Sequence, residues 1–306
     1  MAPKSSKDKA RARQARNREQ RLAAQNQEQV PLPSTPSFRS KLDWASEHIE
    51  RLETVQETWL RTHAYTTVAD REPKTGRVVF KAKITKPPPA ELSLILGDAA
   101  HALRSTLDHL ALELAVAYQR PTQITPAVEK ASEFPIFPDK VGNKLGRDAF
   151  HVVEQKTGKP ARGSGLHKLQ GVDPDAIKAI EGIQPYHRGA TYIEDPLWVI
   201  HELDRVDKHR RLNLTAYAMP STQIVGGNFY MGNVTFQGTG HGGAVKDGTE
   251  LLIMTASSDS HFDLKFVREI ALAEPGLSDG VFLVPAITDA RDYVRDVVVP
   301  LLEPWL

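Results

Sequence analysis

Between Leu42 and Thr62 the apolar residues Leu42, Ala45, Ile49, Leu52, Val55, Trp59 and Leu60 recur at the three- and four-residue spacing of one helix face. Charged residues fill the opposite face, so the run predicts a long amphipathic helix. A second run, Leu92, Ile95, Leu96, Ala99, Leu103, Leu107, Leu110 and Leu114, follows Pro87-Pro88-Pro89 and predicts a helix from Ala90 to Tyr118. Pro121 and Pro126 end it. Two such helices must each bury an apolar stripe, and this requires a helical core.

Between them, Ala64–Ala69 and Val78–Ile84 alternate in polarity, and Glu72-Pro73-Lys74-Thr75-Gly76 supplies turn residues. This predicts a β-hairpin inserted between the helices. From Thr122 to Gly171, glycines, prolines and lysines separate isolated apolar residues, which reads as loop. Within it Phe134-Pro135-Ile136-Phe137-Pro138 reads as an ordered segment packed by its rings. Asp173-Pro174 and Asp195-Pro196 place Asp at an N-cap and Pro at the first helical position. They predict helices over Pro174–Gly182 and from Pro196 to Leu212. Beyond Met219, Gln223–Phe229, Gly232–Phe236, Glu250–Ala256 and His261–Ala271 read as strands. Helical spacing then returns from Ile287 to Leu302. Helices and strands come in runs rather than alternating, so the fold class is α+β. It is a helical bundle with an inserted β-hairpin, followed by an antiparallel β-sheet and a C-terminal helix. The expected organisation is a disordered basic tail and linker over 1–39, a mainly helical core over 40–218, and a β region with the terminal helix over 219–306.

Composition adds constraints. The chain of 306 residues has a formal net charge of +1. Residues 1–22 hold eight basic and two acidic side chains, a net of +6, so residues 23–306 carry −5. The basic arm reads as a solvated tail or as a sequence-independent contact to nucleic-acid phosphates. It lacks the apolar core of a secretory signal, and no stretch approaches the ~20 apolar residues that span a bilayer. The expectation is a cytoplasmic protein with no membrane partner. The absence of cysteine excludes disulfides, thiolate zinc sites, iron–sulfur clusters and a cysteine nucleophile. Chemistry falls to His, Arg, Asp and Glu.

Those residues gather on two helices. On the second helix Asp98, His101, Ser105 and Asp108 form one polar stripe, and Arg104 stands four residues before Asp108, which predicts an intrahelical ion pair. His109 lies about 140° around the helix from Arg104. On the fourth helix His201, Asp204, Lys208 and Arg211 share a face, with Asp207 and His209 beside them. The basic residues of the last turn also suit the helix dipole.

The segments Leu103-Arg104-Ser105-Thr106-Leu107-Asp108-His109-Leu110, Phe134-Pro135-Ile136 and Asp207-Lys208-His209-Arg210 resemble, in that order, a widespread family of uncharacterised bacterial proteins. That likeness implies no activity. Arg104-x-x-x-x-His109 also resembles the Arg-x(4–6)-His motif of HEPN helical domains, many of them ribonucleases. This resemblance implies metal-independent RNA cleavage with Arg104 and His109 as catalytic residues beside Asp108. His would move the 2′-hydroxyl proton and Arg would stabilise the phosphorane. It also implies RNA as partner and a homodimer, because such sites are commonly built across a dimer. Ser105 departs from the Asn, Asp or His common after the Arg in that family.

Two other readings stand beside this one. In the first, the chain is a non-enzymatic binding or interaction protein. Its clusters are then structural ion pairs, with Asp98 or Asp108 meeting Arg205, Lys208 or Arg211 across the helix interface. His101, Asp204, Asp207, Lys208 and His209 then belong to a packing cluster or a substrate-facing one. In the second, Asp98-x-x-His101 and His201-x-x-Asp204 face inward as metal ligands of a helical-bundle enzyme. Glu47, Glu50 and Glu53 lie mainly on the wet face of the first helix, so the ligand set is short and no cofactor or metal is assigned. Gly238-x-Gly240-x-x-Gly243 lacks the strand–helix context of a dinucleotide site and reads as a loop.

Overall fold

A computed structural model describes residues 37–62, 65–72, 74–120, 124–224, 235–238, 246–255, 264–278 and 281–306. The basic arm and the Gly240–Gly243 loop lie outside the described residues. Helix α1 (Ser37–Arg61) leads into the hairpin strands β1 (Tyr65–Glu72) and β2 (Arg77–Ile84), and helix α2 spans Ala90–Tyr118. The α2 bounds are those its proline punctuation predicts. The α2 stripe Leu92, Leu96, Leu103, Leu107, Leu110 and Leu114 is buried against Phe38, Ala45, Ile49 and Leu52 of α1.

The middle of the chain is more regular than its composition suggests. It contains α3 (Pro126–Ala131), a short hairpin of β3 (Lys140–Val141) and β4 (Lys144–Leu145), α4 (Gly146–Phe150) and α5 (Gly165–Lys168). Pro126 opens α3 as well as ending the preceding run, because Thr125 caps the Val128 N–H and a proline at the first position loses no helical hydrogen bond. The aromatic segment is anchored as its rings predict: Phe134, Ile136 and Phe137 are all buried.

Helix α6 (Pro174–Gly182) and helix α7 (Pro196–Asp207) start where the Asp-Pro pairs place them, with the Asp173 and Asp195 carboxylates accepting the Asp175 and Leu197 N–H groups. A 3₁₀ segment, Pro185–Glu194, joins them. The expected end of α7 at Leu212 is wrong. The helix stops at Asp207 because the buried Glu274 carboxylate takes both the Arg210 guanidinium and the Asn213 N–H, drawing the chain into a strand.

The strands are β5 (Leu214–Ile224), β6 (Thr235–Gly238), β7 (Glu250–Thr255) and β8 (Leu264–Leu272). Strand β5 is not among the expected strands and starts directly after that turn; of the expected Gln223–Phe229 and Gly232–Phe236, residues 225–234 lie outside the described residues. All pairings are antiparallel: β5 with β8, and a four-stranded sheet in the order β1-β2-β7-β6. The inserted hairpin is therefore half of a sheet completed from the C-terminal region, with Phe80 opposite Leu252.

Helix α8 (Leu283–Tyr293) passes through a π-helical turn, Val294–Val298, into α9 (Val299–Leu302) and a final 3₁₀ turn, Glu303–Trp305. The expected helix is present but widened, two to six residues before Pro300, whose ring and missing N–H disturb the regular ladder. Helix α7 packs against both α2 and α8, and α8 also reaches α1. Residues 37–306 cluster as one compact unit. The architecture is α+β: a helical bundle with a small antiparallel sheet and a C-terminal helix.

Candidate functional site

The polar stripes of α2 and α7 face each other along an antiparallel seam. At its open end Gly97 of α2 meets the Asp207 carboxylate so closely that a Cβ there would collide with it. One turn further, His101 Nδ1 lies 3.0 Å from Asp204 Oδ1, and Lys208 Nζ donates to Asp204 Oδ2 at 2.6 Å. The Asp204 side chain is only 6% exposed, whereas that of His101 is 60% exposed. Asp207 has its carboxyl pKa raised by burial and by the neighbouring charges of Asp98 and Asp204.

Toward the other end the seam becomes buried. Arg104 Nη2 donates to Glu133 Oε1 (2.9 Å) and to the Phe134 carbonyl (2.8 Å), and lies 2.9 Å from Asp108 Oδ1. The expected Arg104–Asp108 ion pair is thus present. Asp108 Oδ1 also accepts the Phe134 N–H at 2.9 Å, so the pair clamps both backbone polar groups of Phe134. Lys168 Nζ of α5 donates to Glu133 Oε1 at 2.7 Å. Burial raises the Asp108 pKa and outweighs the opposing charge of Arg104. For Glu133 burial also pushes upward, but Lys168, Arg104 and His201 outweigh it and hold the carboxyl below its usual range.

His201 of α7 closes this end. Burial, aided by the charges of Arg104 and Lys168, depresses its pKa to about 4, so it is neutral at physiological pH. Glu202 and Glu133 act on it in the opposite sense. Arg104 Nη1 is buried and has no hydrogen-bond partner.

The seam brings together Arg104 with Asp108, and His101 with Asp204 and Lys208, while Asp207 stands beside them. His109 is half-buried on the flank of α2, and His209 is exposed past the end of α7. The pairing expected across the helices is corrected in its partners. Arg205 makes a bidentate pair with Glu202 on its own helix, Lys208 also pairs within its own stretch, and the cross-helix contact is His101 with Asp204. Arg211, placed beyond α7 by the early helix end, leaves the shared face.

Glu133, Lys168 and Glu274 escaped sequence reasoning. They sit in or beside irregular segments, where periodicity carries no signal. The position of Glu133 directly before Phe-Pro-Ile was its one clue. Among the described residues no three His, Asp or Glu side chains stand together as a metal site, and no helix is long and apolar enough to cross a membrane. No protein-family model, no curated protein and no solved structure matches the chain.

Proposed function

We propose that the chain is a non-enzymatic binding or interaction protein whose charged helix clusters are structural ion pairs. The observation that carries this reading is the state of Arg104. One nitrogen serves two carboxylates and a carbonyl, the other is sealed from solvent, and the side chain is 6% exposed. A guanidinium that stabilises a phosphorane must present donors to an incoming phosphate. Here Nη2 is committed to Asp108 and the Glu133–Phe134 segment, and Nη1 is buried out of reach of solvent. The exposed end of the seam is no better suited to RNA, since Asp98, Asp204 and Asp207 surround His101 and repel a phosphodiester.

RNA remains a partner for the arm rather than for the seam, through the +6 charge of residues 1–22. The homodimer belongs with the cleavage reading, and sedimentation of the full chain tests it.

The deciding experiment is an RNA-cleavage assay on the full-length protein in chelator, beside His109→Gln. The expected result is no cleavage by either protein, with the substitution changing thermal stability alone. Metal-free cleavage that His109→Gln abolishes at unchanged melting temperature would establish the ribonuclease reading instead.

A further inference from the structure

The lysine-rich middle of the chain builds two turns, one at each end of α4. In the first, β3 pairs with β4, setting Lys140 opposite Leu145 and Val141 opposite Lys144. In the second, the Glu154 N–H donates to the Lys159 carbonyl and the Ala161 N–H to the Val152 carbonyl, each at 2.8 Å. Gly142 and Gly158 reverse the chain at φ of 60° and 66°. The five residues of α4 that join the turns span only about 7 Å. Its inward side, Gly146, Ala149 and Phe150, is buried, and the Phe150 ring lies 5.9 Å from that of Phe137. At its end His151 Nε2 is 2.7 Å from Glu181 Oε1 of α6. The turns therefore stand outward on a fixed base. Residues 139–162 carry Lys140, Lys144, Arg147, Lys156, Lys159 and Arg162 against Asp139, Asp148 and Glu154, a net of +3 within a body of −5. All six cations are exposed, and among the described residues none enters an ion pair. Cations elsewhere are matched, as Arg51 is with Glu91, Arg188 with Asp195 and Arg291 with Asp292. Among the six, Val141, Leu145 and Val153 are 41%, 53% and 50% exposed.

We propose that these two turns form a docking surface for a bilayer face rich in anionic lipid. Headgroup phosphates and carboxylates attract the unpaired cations. The aliphatic side chains beside them enter the boundary between headgroups and acyl chains, where shedding water is favourable. Convex turns suit a flat, yielding target better than a peptide, which docks in a groove or along a sheet edge. A nucleic acid would use the cations but would leave Val141, Leu145 and Val153 without a role. Phe150, the only Phe, Tyr or Trp of the stretch, is buried and cannot stack on a base. The acidic remainder of the body is repelled by the same surface, which aims the turns toward it. The expectation of no membrane partner came from the lack of a spanning stretch, which a surface contact does not need.

This inference rests on the chain being a binding protein, but its residues are not those that the cleavage assay probes, so the two can fail separately. The full-length protein is sedimented with vesicles of phosphatidylcholine alone and of phosphatidylcholine with about 30% phosphatidylserine, in roughly 0.1 M salt. Binding is expected to the serine-containing vesicles only. Lys140→Gln with Lys144→Gln should weaken it about tenfold or more, and so should Lys156→Gln with Lys159→Gln, because each cation near such a surface is worth about fivefold. Leu145→Ser with Val153→Ser should weaken it about threefold or more. Lys74→Gln, in the turn of the β1–β2 hairpin, should leave it unchanged. Every substituted side chain is exposed, so the variants keep the parent fold, and an unchanged melting temperature checks this. Sedimentation with neither vesicle overturns the surface. So does vesicle binding that the lysine pairs leave unchanged, which the basic arm alone would give. Binding of a duplex RNA of about 20 base pairs in place of the vesicles, weakened by the lysine pairs and not by the aliphatic pair, would make this a nucleic-acid surface instead.

Discussion

At the scale of single residues, the chain stabilises one buried cation with several acceptors rather than one. Removing one partner of such a cluster strands a charge, which typically costs about 3–5 kcal/mol, far more than losing a surface pair. The neutral histidine at its edge makes a sharper prediction. Its folded pKa, about 4, lies below the ordinary 6.5, so the unfolded chain binds the extra proton first. Stability attributable to His201 is therefore fully present above about pH 6.5 and is lost as pH falls through about 4. The expected loss is on the order of 2 kcal/mol, allowing for the half-exposed ring. Glu133 is lost in the lower part of the same window, because its carboxyl is held low, while Asp108, raised by burial, works in the opposite sense. Urea unfolding at stepped pH checks this. His201→Gln should flatten the decline between about pH 6.5 and 4.5, and an unchanged slope would show that His201 does not cause it.

At the scale of elements, packing decides where propensity is silent. Gly165, the first residue of α5, lies against the buried Phe150 ring, and a Cβ there would overlap it. Helix propensity favours alanine at such a position, yet overpacking a filled core costs about 1–3 kcal/mol. Gly165→Ala should therefore lower the melting temperature, and a rise would mean that the ring has room to move. The same contrast explains how far the elements were legible. Asp-Pro pairs and leucine stripes are local signals, and α2, α6 and the start of α7 follow them closely. The end of α7 is set by Glu274, which is distant in sequence, so spacing alone extended the helix to Leu212. The seam was half legible. Its residue types and the Arg104–Asp108 pair could be read from one helix, but the partners Glu133 and Lys168 lie in short irregular segments with no period to betray them.

At the scale of the whole molecule, the helical and β regions share structure that the order of the chain conceals. Strand β2 pairs with β7, and α8 packs on α7 and α1, so neither half keeps all its contacts without the other. Residues 37–306 should accordingly lose structure in one calorimetric transition. Two well-separated transitions would show that the regions before and after residue 218 are independent domains.

The β2–β7 pairing also bears on how the protein is made. Position 80 leaves the ribosome long before position 252, so the hairpin must wait with the outer edge of β2 unsatisfied while most of the chain is synthesised. An unpaired edge that bears buried-type side chains such as Val78, Val79 and Phe80 is open to pairing with other chains. The nascent protein is thus most exposed to aggregation, and most in need of a chaperone, during the interval between those two strands.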